Sequence, residues 1–434
     1  MTRRQFVGGL SVWLALPVWA RGADVKKRAK KGKGGFAPWE TADGLATPNV
    51  MVRRLCLDLA GRLPSPAEAR AFVAGEIGRE AFVDRLLASE DFADYWSMRL
   101  CDLLRVKSEF PINLWPNAVY VYHRFLREAV KADEPWDALA AKLVTGSGSD
   151  FRDPEANFIR ASADRSPEGL ARTAVRTFLD DDLDAWPADE RRRAVAAFSN
   201  VRVKHTREWK EELVCSDGPD RRGEFVKLLE ERRERFAAAA GGYVGHWFFG
   251  RRGPDEELGR TFAACGFRLK ALCRSVVLSD AYARGAVTGG FPLRRLDAEV
   301  LEDALCSLAG MKRAYRSIAP EPFTFIPPDR KTVLLEDGSI VSGFTTLFGR
   351  PPRDSGLPEE RRNAITAKQR LYLFNSGRLY RALSRLRGDV AGVYWKFCSR
   401  PPTAAERAAI REAGAKPGEV AWCLMNSREF LYRG

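Results

Sequence analysis

The residues with the strongest chemical patterning are three arginines and an aspartate close together and two further arginines far along the chain. Arg54, Asp58 and Arg62 recur every four positions, with Arg53 beside the first of them. On a helix that interval puts opposite charges within reach of one another. Leu57 and Cys56 fall outside the stripe made by Leu55, Leu59 and Leu63, so the helix is expected to be covered on most sides. Asp58 should then sit partly desolvated between the guanidinium groups of Arg54 and Arg62. Two uses fit the pattern. It can be a structural ion-pair network. Alternatively, Arg53, Arg54 or Arg62, with Arg350 and Arg353 of Gly349-Arg350-Pro351-Pro352-Arg353, can hold an anionic group such as a carboxylated or sulfated sugar.

No catalytic residue declares itself. The three histidines are scattered: His123 lies on an aromatic helix face, His205 among basic residues, and His246 in a stretch read as a domain boundary. No C-x-x-C pair occurs among the eight cysteines, so zinc is not expected. Cys56, Cys101, Cys306 and Cys423 occupy apolar helix positions and read as buried thiols. Asp180, Asp182 and Asp184 match three positions of a calcium loop, but Ala185 and Arg191 stand where glycine and glutamate are needed. Gly146-Ser147-Gly148-Ser149 lacks the preceding strand of a nucleophile elbow and reads as a flexible loop. No metal, haem or other cofactor is expected.

The elements that would position these groups are mainly helical. The apolar residues of 52–63 keep one helix face until Pro64 stops it, and Ser65-Pro66-Ala67-Glu68 restarts a helix through a capping box. Helices are predicted over 80–104, 117–131, 136–144, 167–179, 188–198, 223–240, 255–265, 268–284, 293–308, 359–386 and 420–432. One β-hairpin is predicted at 331–344, turning at Asp337-Gly338. No repeat of fixed period is present. The fold class is therefore mainly α, two helical lobes with one small β-hairpin. A chain of 434 residues also exceeds one ordinary core.

Compartment and charge come from the beginning of the chain. Arg3 and Arg4 precede the apolar run 6–20, which is shorter than the roughly 20 residues of a membrane span and ends in Val18-Trp19-Ala20. This reads as an export signal, and the Arg pair followed by Phe6 resembles a twin-arginine signal. Basic residues put +8 of the formal +14 into residues 1–33, leaving +6 for the rest. That balance gives no footprint for nucleic acid over the folded body. The resulting division is a signal peptide at 1–20, a basic Lys/Gly linker at 21–46, a first helical domain at 47–200, a helical connector at 201–244 and a second helical domain at 245–434. The location is periplasmic or cell-surface, with membrane contact only through the signal or linker.

Residues 53–64, Asp84-Arg85-Leu86-Leu87-Ala88-Ser89 and Asn157-Phe158 resemble the first of two paired domains of unknown function found in exported planctomycete-type, cytochrome-associated and cell-surface proteins. The second domain is resembled through residues 246–251, 279–282, 294–299, 348–351 and 426–431. The resemblance implies a covalent haem motif C-x-x-C-H after Leu179, but Asp180-Asp181-Asp182-Leu183-Asp184 stands there instead. Haem chemistry should not carry over, and an electron-transfer role related to c-type cytochromes is disfavoured.

Two function classes remain. One is a non-enzymatic scaffold or binding protein of cell-envelope or extracellular polysaccharide machinery, with anionic polysaccharide or envelope proteins as partners. The other is a polysaccharide-acting hydrolase using a carboxylate pair, which cannot be chosen from 57 acidic residues. A cleft with two carboxylates of shifted pKa would favour the second, and arginine lining the first.

Overall fold

The computed structural model describes residues 40–319 and 324–433, so the signal-peptide reading and most of the linker lie outside the described residues. Helices dominate the described chain, and the strands form a three-stranded and a two-stranded antiparallel sheet. The fold is mainly α. No helix among the described residues is long and apolar enough to cross a membrane. Two compact units divide the chain discontinuously. Within the described residues the first comprises 40–83, 278–312 and 363–433, and the second 84–277 and 313–362. Neither is a single consecutive stretch, unlike the 47–200 and 245–434 division read from sequence.

The first unit is built around Pro48–Ala60, in which every residue from Val50 onward is buried. Pro48 sits in the first turn, where its missing N–H costs nothing, and Gly61 ends the helix in the left-handed conformation at φ 59°. Ser65 then caps Pro66–Val73: its Oγ accepts from Glu68 N at 3.2 Å, and Glu68 accepts from Ser65 N at 2.8 Å. Pro66–Val73 packs on both Pro48–Ala60 and Val390–Cys398, and the latter packs on Pro417–Met425. The terminal strand Tyr432–Arg433 pairs with Arg294–Arg295. Residues 40–46, assigned above to the linker, already belong to this fold. The Glu40 carboxylate accepts from Thr288 N at 2.8 Å, and Ala46 N donates to Ala283 O at 2.9 Å.

In the second unit Glu90–Leu103 packs on Pro116–Lys131, and Pro167–Leu179 on Arg233–Phe249. The helix predicted over 80–104 is two helices, because Ser89 caps a new start by accepting from Phe92 N at 3.2 Å. Arg233–Phe249 and Glu256–Ala264 lie backbone to backbone. A Cβ on Gly241 would meet Gly259 N at 2.6 Å, so only glycine allows this approach.

The β-hairpin lies elsewhere than predicted. Val201–His205 pairs antiparallel with Glu212–Ser216, inside the segment read as a helical connector. Gly148–Ser149 joins as a third strand, so the presumed flexible loop is a paired edge. Residues 331–344 form no hairpin: Thr332–Leu334 is a 3-10 turn, and Val341 bridges to Arg316. Asp337 does turn the chain, but its carboxylate accepts from Ser108 N and Ser339 N, which ties the turn to the end of Glu90–Leu103 instead of closing two strands.

Candidate functional site

The predicted Arg54–Asp58–Arg62 ladder is buried but wired differently. Asp58 forms its ion pair with Arg433 and accepts from the Tyr282 hydroxyl at 2.9 Å. Arg54 donates to Tyr282 O at 2.6 Å and Arg284 O at 2.9 Å, with its guanidinium 3.5 Å from the centre of the Phe291 ring. Arg53 donates to Phe397 O and Phe430 O. Arg62 leaves the helix face altogether and grips Glu68 through both nitrogens, at 2.9 and 3.0 Å. Burial lowers the pKa of Arg54 to about 10. These arginines bond carbonyls and carboxylates of their own unit, the mark of structural cement.

Arg350 and Arg353 belong to the second unit, whereas that helix belongs to the first. Arg350 donates to Ile340 O and to Asp337 O. Arg353 is fully buried, with φ at 61°, and donates to Asp102 at 2.9 Å, Glu336 O at 2.7 Å and Val106 O at 3.3 Å. The second Asp102 oxygen accepts from Arg361 at 2.6 Å. Burial alone would raise the Asp102 pKa, but Arg361 and Arg353 outweigh it and hold the carboxyl below its usual value.

Asp102 and Arg361 form part of the wall of a small pocket that opens to solvent. Three segments line it. Arg99, Asp102 and Leu103 come from Glu90–Leu103 at i, i+3 and i+4, so they share a helix face. Tyr243, His246 and Trp247 repeat that spacing on Arg233–Phe249. The third wall is the 351–361 segment, carrying Pro351 and Arg361. It is pinned by Gly356, whose φ is 76° and whose added Cβ would meet Leu103 O at 2.4 Å.

Within the pocket Arg99 is buried, donates to the Tyr95 hydroxyl and lies 5.8 Å from the centre of the Trp247 ring. Trp247 and His246 are half-buried, and His246 Nδ1 is 2.9 Å from Arg251 O. That contact turns the other imidazole nitrogen away from Arg251. His246 thus sits on a helix and lines a pocket. Asp102 is the one carboxylate among the lining residues, and two arginines already hold it. The lining thus brings Arg99, Arg361 and the Trp247 ring together around one space, a set of groups of the kind that recognises a carboxylate, sulfate or phosphate.

Other groups singled out in the sequence have local employment. His123 is buried, and burial with the nearby charges of Arg353, Arg330 and Arg127 lowers its pKa to about 3. Asp184 pairs with Arg172 at 3.0 Å and also faces Arg191 at 3.6 Å, so the acidic turn holds arginines. No group of three or more His, Cys, Asp or Glu side chains suited to a metal occurs among the described residues. Six of the eight cysteines are buried, including Cys56, Cys101, Cys306 and Cys423. A second carboxylate cluster lies at the small sheet. Burial raises the Asp150 pKa to about 6, but its Oδ1 accepts from Glu212 N at 2.9 Å, and the side chain serves the sheet end.

Comparison with family models adds two matches. Residues 37–189 match PSCyt2, a protein of unknown function (DUF1549). Residues 256–413 match PSD1, a protein of unknown function (DUF1553). The chain carries both of these domains. Arg99 and Asp102 fall in the DUF1549 match, Pro351 and Arg361 in the DUF1553 match, and Tyr243, His246 and Trp247 between them. No curated protein and no solved structure shows a match to the chain.

Proposed function

We propose that this chain is a non-enzymatic, exported binding protein of cell-envelope or extracellular polysaccharide machinery, and that it takes an anionic sugar group in the Arg99–Arg361 pocket. The observation carrying this reading is that buried Arg99 and half-buried Arg361 line a pocket whose one lining carboxylate, Asp102, is already engaged by Arg361 and Arg353. Pyranose faces stack on aromatic rings, which half-buried Trp247 offers, while an acidic substituent meets guanidinium groups. Export rests on Arg3, Arg4 and the apolar run 6–20.

Hydrolysis by a carboxylate pair is less well served. A general acid must hold its proton near working pH. Asp102 is held in the opposite direction, and no second carboxylate lines this pocket.

Thermal unfolding of the mature protein tests the reading. An oligosaccharide of glucuronate units should raise the midpoint, and a neutral glucose oligomer of equal length should not. Equal shifts with both sugars, or none with the acidic one, would count against the anion pocket.

A further inference from the structure

We propose that the surface formed by Ala367–Asn375 and Gly377–Leu383 docks the protein on a bilayer containing anionic phospholipid. The sequence reading places membrane contact only in the signal or linker; this surface puts one on the folded body.

The charge balance of this segment is one-sided. Residues 367–388 carry Lys368, Arg370, Arg378, Arg381, Arg385 and Arg387 and no acidic residue. These bases equal the whole formal surplus that the chain carries beyond residue 33. All of them are exposed, and none pairs with a carboxylate among the described residues. Arg378 donates to the Lys312 carbonyl, a neutral group. Asp389, the first acidic residue after the run, is committed to the next helix, where it accepts from Gly392 N at 2.9 Å. Arg378 and Arg381 stand three apart on one helix, so they repel each other until an outside anion answers them.

The two helices are held from beneath. Thr366 caps Ala367–Asn375 by accepting from Gln369 N at 3.3 Å, and Ser376 caps Gly377–Leu383 by accepting from Leu379 N at 3.3 Å. Gln369 and Leu373 of the first helix are buried, as are Leu379 and Leu383 of the second. The second packs on Pro417–Met425 and Ala298–Ala309. The outer side of the first helix is nonetheless apolar. Leu371 is 60% exposed and Phe374 41%, three residues apart and turned away from Gln369 and Leu373. Lys368 and Arg370 flank them in sequence.

This combination selects the partner. A soluble polyanion would answer the bases but gives Leu371 and Phe374 nothing to enter. A bilayer answers both. Apolar side chains enter the boundary between headgroups and acyl chains, while Lys and Arg reach lipid phosphates from the flanks. Each base near an anionic leaflet raises affinity by about fivefold. The attachment is peripheral, because both helices keep their inner side in the core.

Sedimentation of the mature protein with vesicles tests the proposal, using phosphatidylcholine alone and phosphatidylcholine mixed with phosphatidylglycerol. The mixed vesicles should bind the protein at least about tenfold more tightly. The Lys/Gly tail is basic as well, so two variants leave it intact: Leu371→Ser with Phe374→Ser, and Arg381→Gln with Arg385→Gln. Both pairs are exposed, and each variant should keep the wild-type melting midpoint. Affinity for mixed vesicles should fall at least about fivefold in the first and about twentyfold in the second. Wild-type affinity in both would place the contact in the tail and overturn the proposal. Loss in the charge variant alone would make the face a site for any polyanion, and loss in the apolar variant alone would leave the bases without a role; either overturns it. Equal binding to both vesicle types, or to neither, overturns it too.

Discussion

Arg353 donates to Asp102 at 2.9 Å from a backbone held at φ 61°, a left-handed conformation that costs an arginine about 1–2 kcal/mol. The fold keeps this arrangement because the guanidinium also ties Glu336 O and Val106 O together. Asp102 in turn holds Arg361 at the pocket wall. Asp102→Ala should therefore leave two largely buried arginines without their counter-charge, a loss of about 3–5 kcal/mol. Urea unfolding measures it. A loss under about 1 kcal/mol would mean that the wall is held by something else.

Asp58 provides a second test, of wiring. Its ion pair is with Arg433, and Arg62 pairs with Glu68. A double-mutant cycle of Asp58→Ala with Arg433→Ala should give a coupling above about 1 kcal/mol. The cycle of Asp58→Ala with Arg62→Ala should stay within about 0.5 kcal/mol of zero. The reverse ranking would restore the helical ladder that the four-residue spacing suggests.

His123 sets a pH dependence. Its folded pKa, about 3, lies below the ordinary value near 6.5, so the unfolded chain binds the extra proton first. The contribution of His123 to stability is intact above about pH 6.5 and is lost progressively as pH falls toward 3, by up to about 1.4 kcal/mol per pH unit. Carboxylates add their own acid sensitivity, so the comparison is between wild type and His123→Phe. The stability difference between the two should shift in favour of the variant from pH 7.5 to pH 5. A constant difference would place His123 in contact with solvent or with an anion.

Part of this organisation is legible in the chain. A buried helix followed by the Ser65 capping box follows from short-range rules, although Gly61 ends Pro48–Ala60 before Pro64 is reached. The burial of Asp58 is readable too, because apolar residues surround it on more than one face. Its partner is not, since Arg433 arrives from the other end of the chain through the Tyr432–Arg433 strand. The 331–344 hairpin fails for a related reason. Asp337-Gly338 is a genuine turn signal, but turn chemistry does not say what the flanks pair with, and here they meet Arg316 and Ser108.

The pocket is the least legible part. Arg353 is flagged by its motif, but only as a potential ligand group, whereas it braces Asp102. Arg99 and Asp102 share a helix face with Leu103, as do Tyr243, His246 and Trp247 on theirs, and that i, i+3, i+4 spacing is the one signal available in advance. It looks like ordinary amphipathic patterning until tertiary packing places the two faces around one space.

The most direct measurement is a crystal structure of the mature protein grown with an oligosaccharide of glucuronate units at saturating concentration. A uronate carboxylate should lie about 2.7–2.9 Å from guanidinium nitrogens of Arg99 and Arg361, with the sugar ring against Trp247. Saccharide bound elsewhere on the chain, with only solvent between Arg99 and Arg361, would contradict the assignment of this pocket as an anionic sugar site.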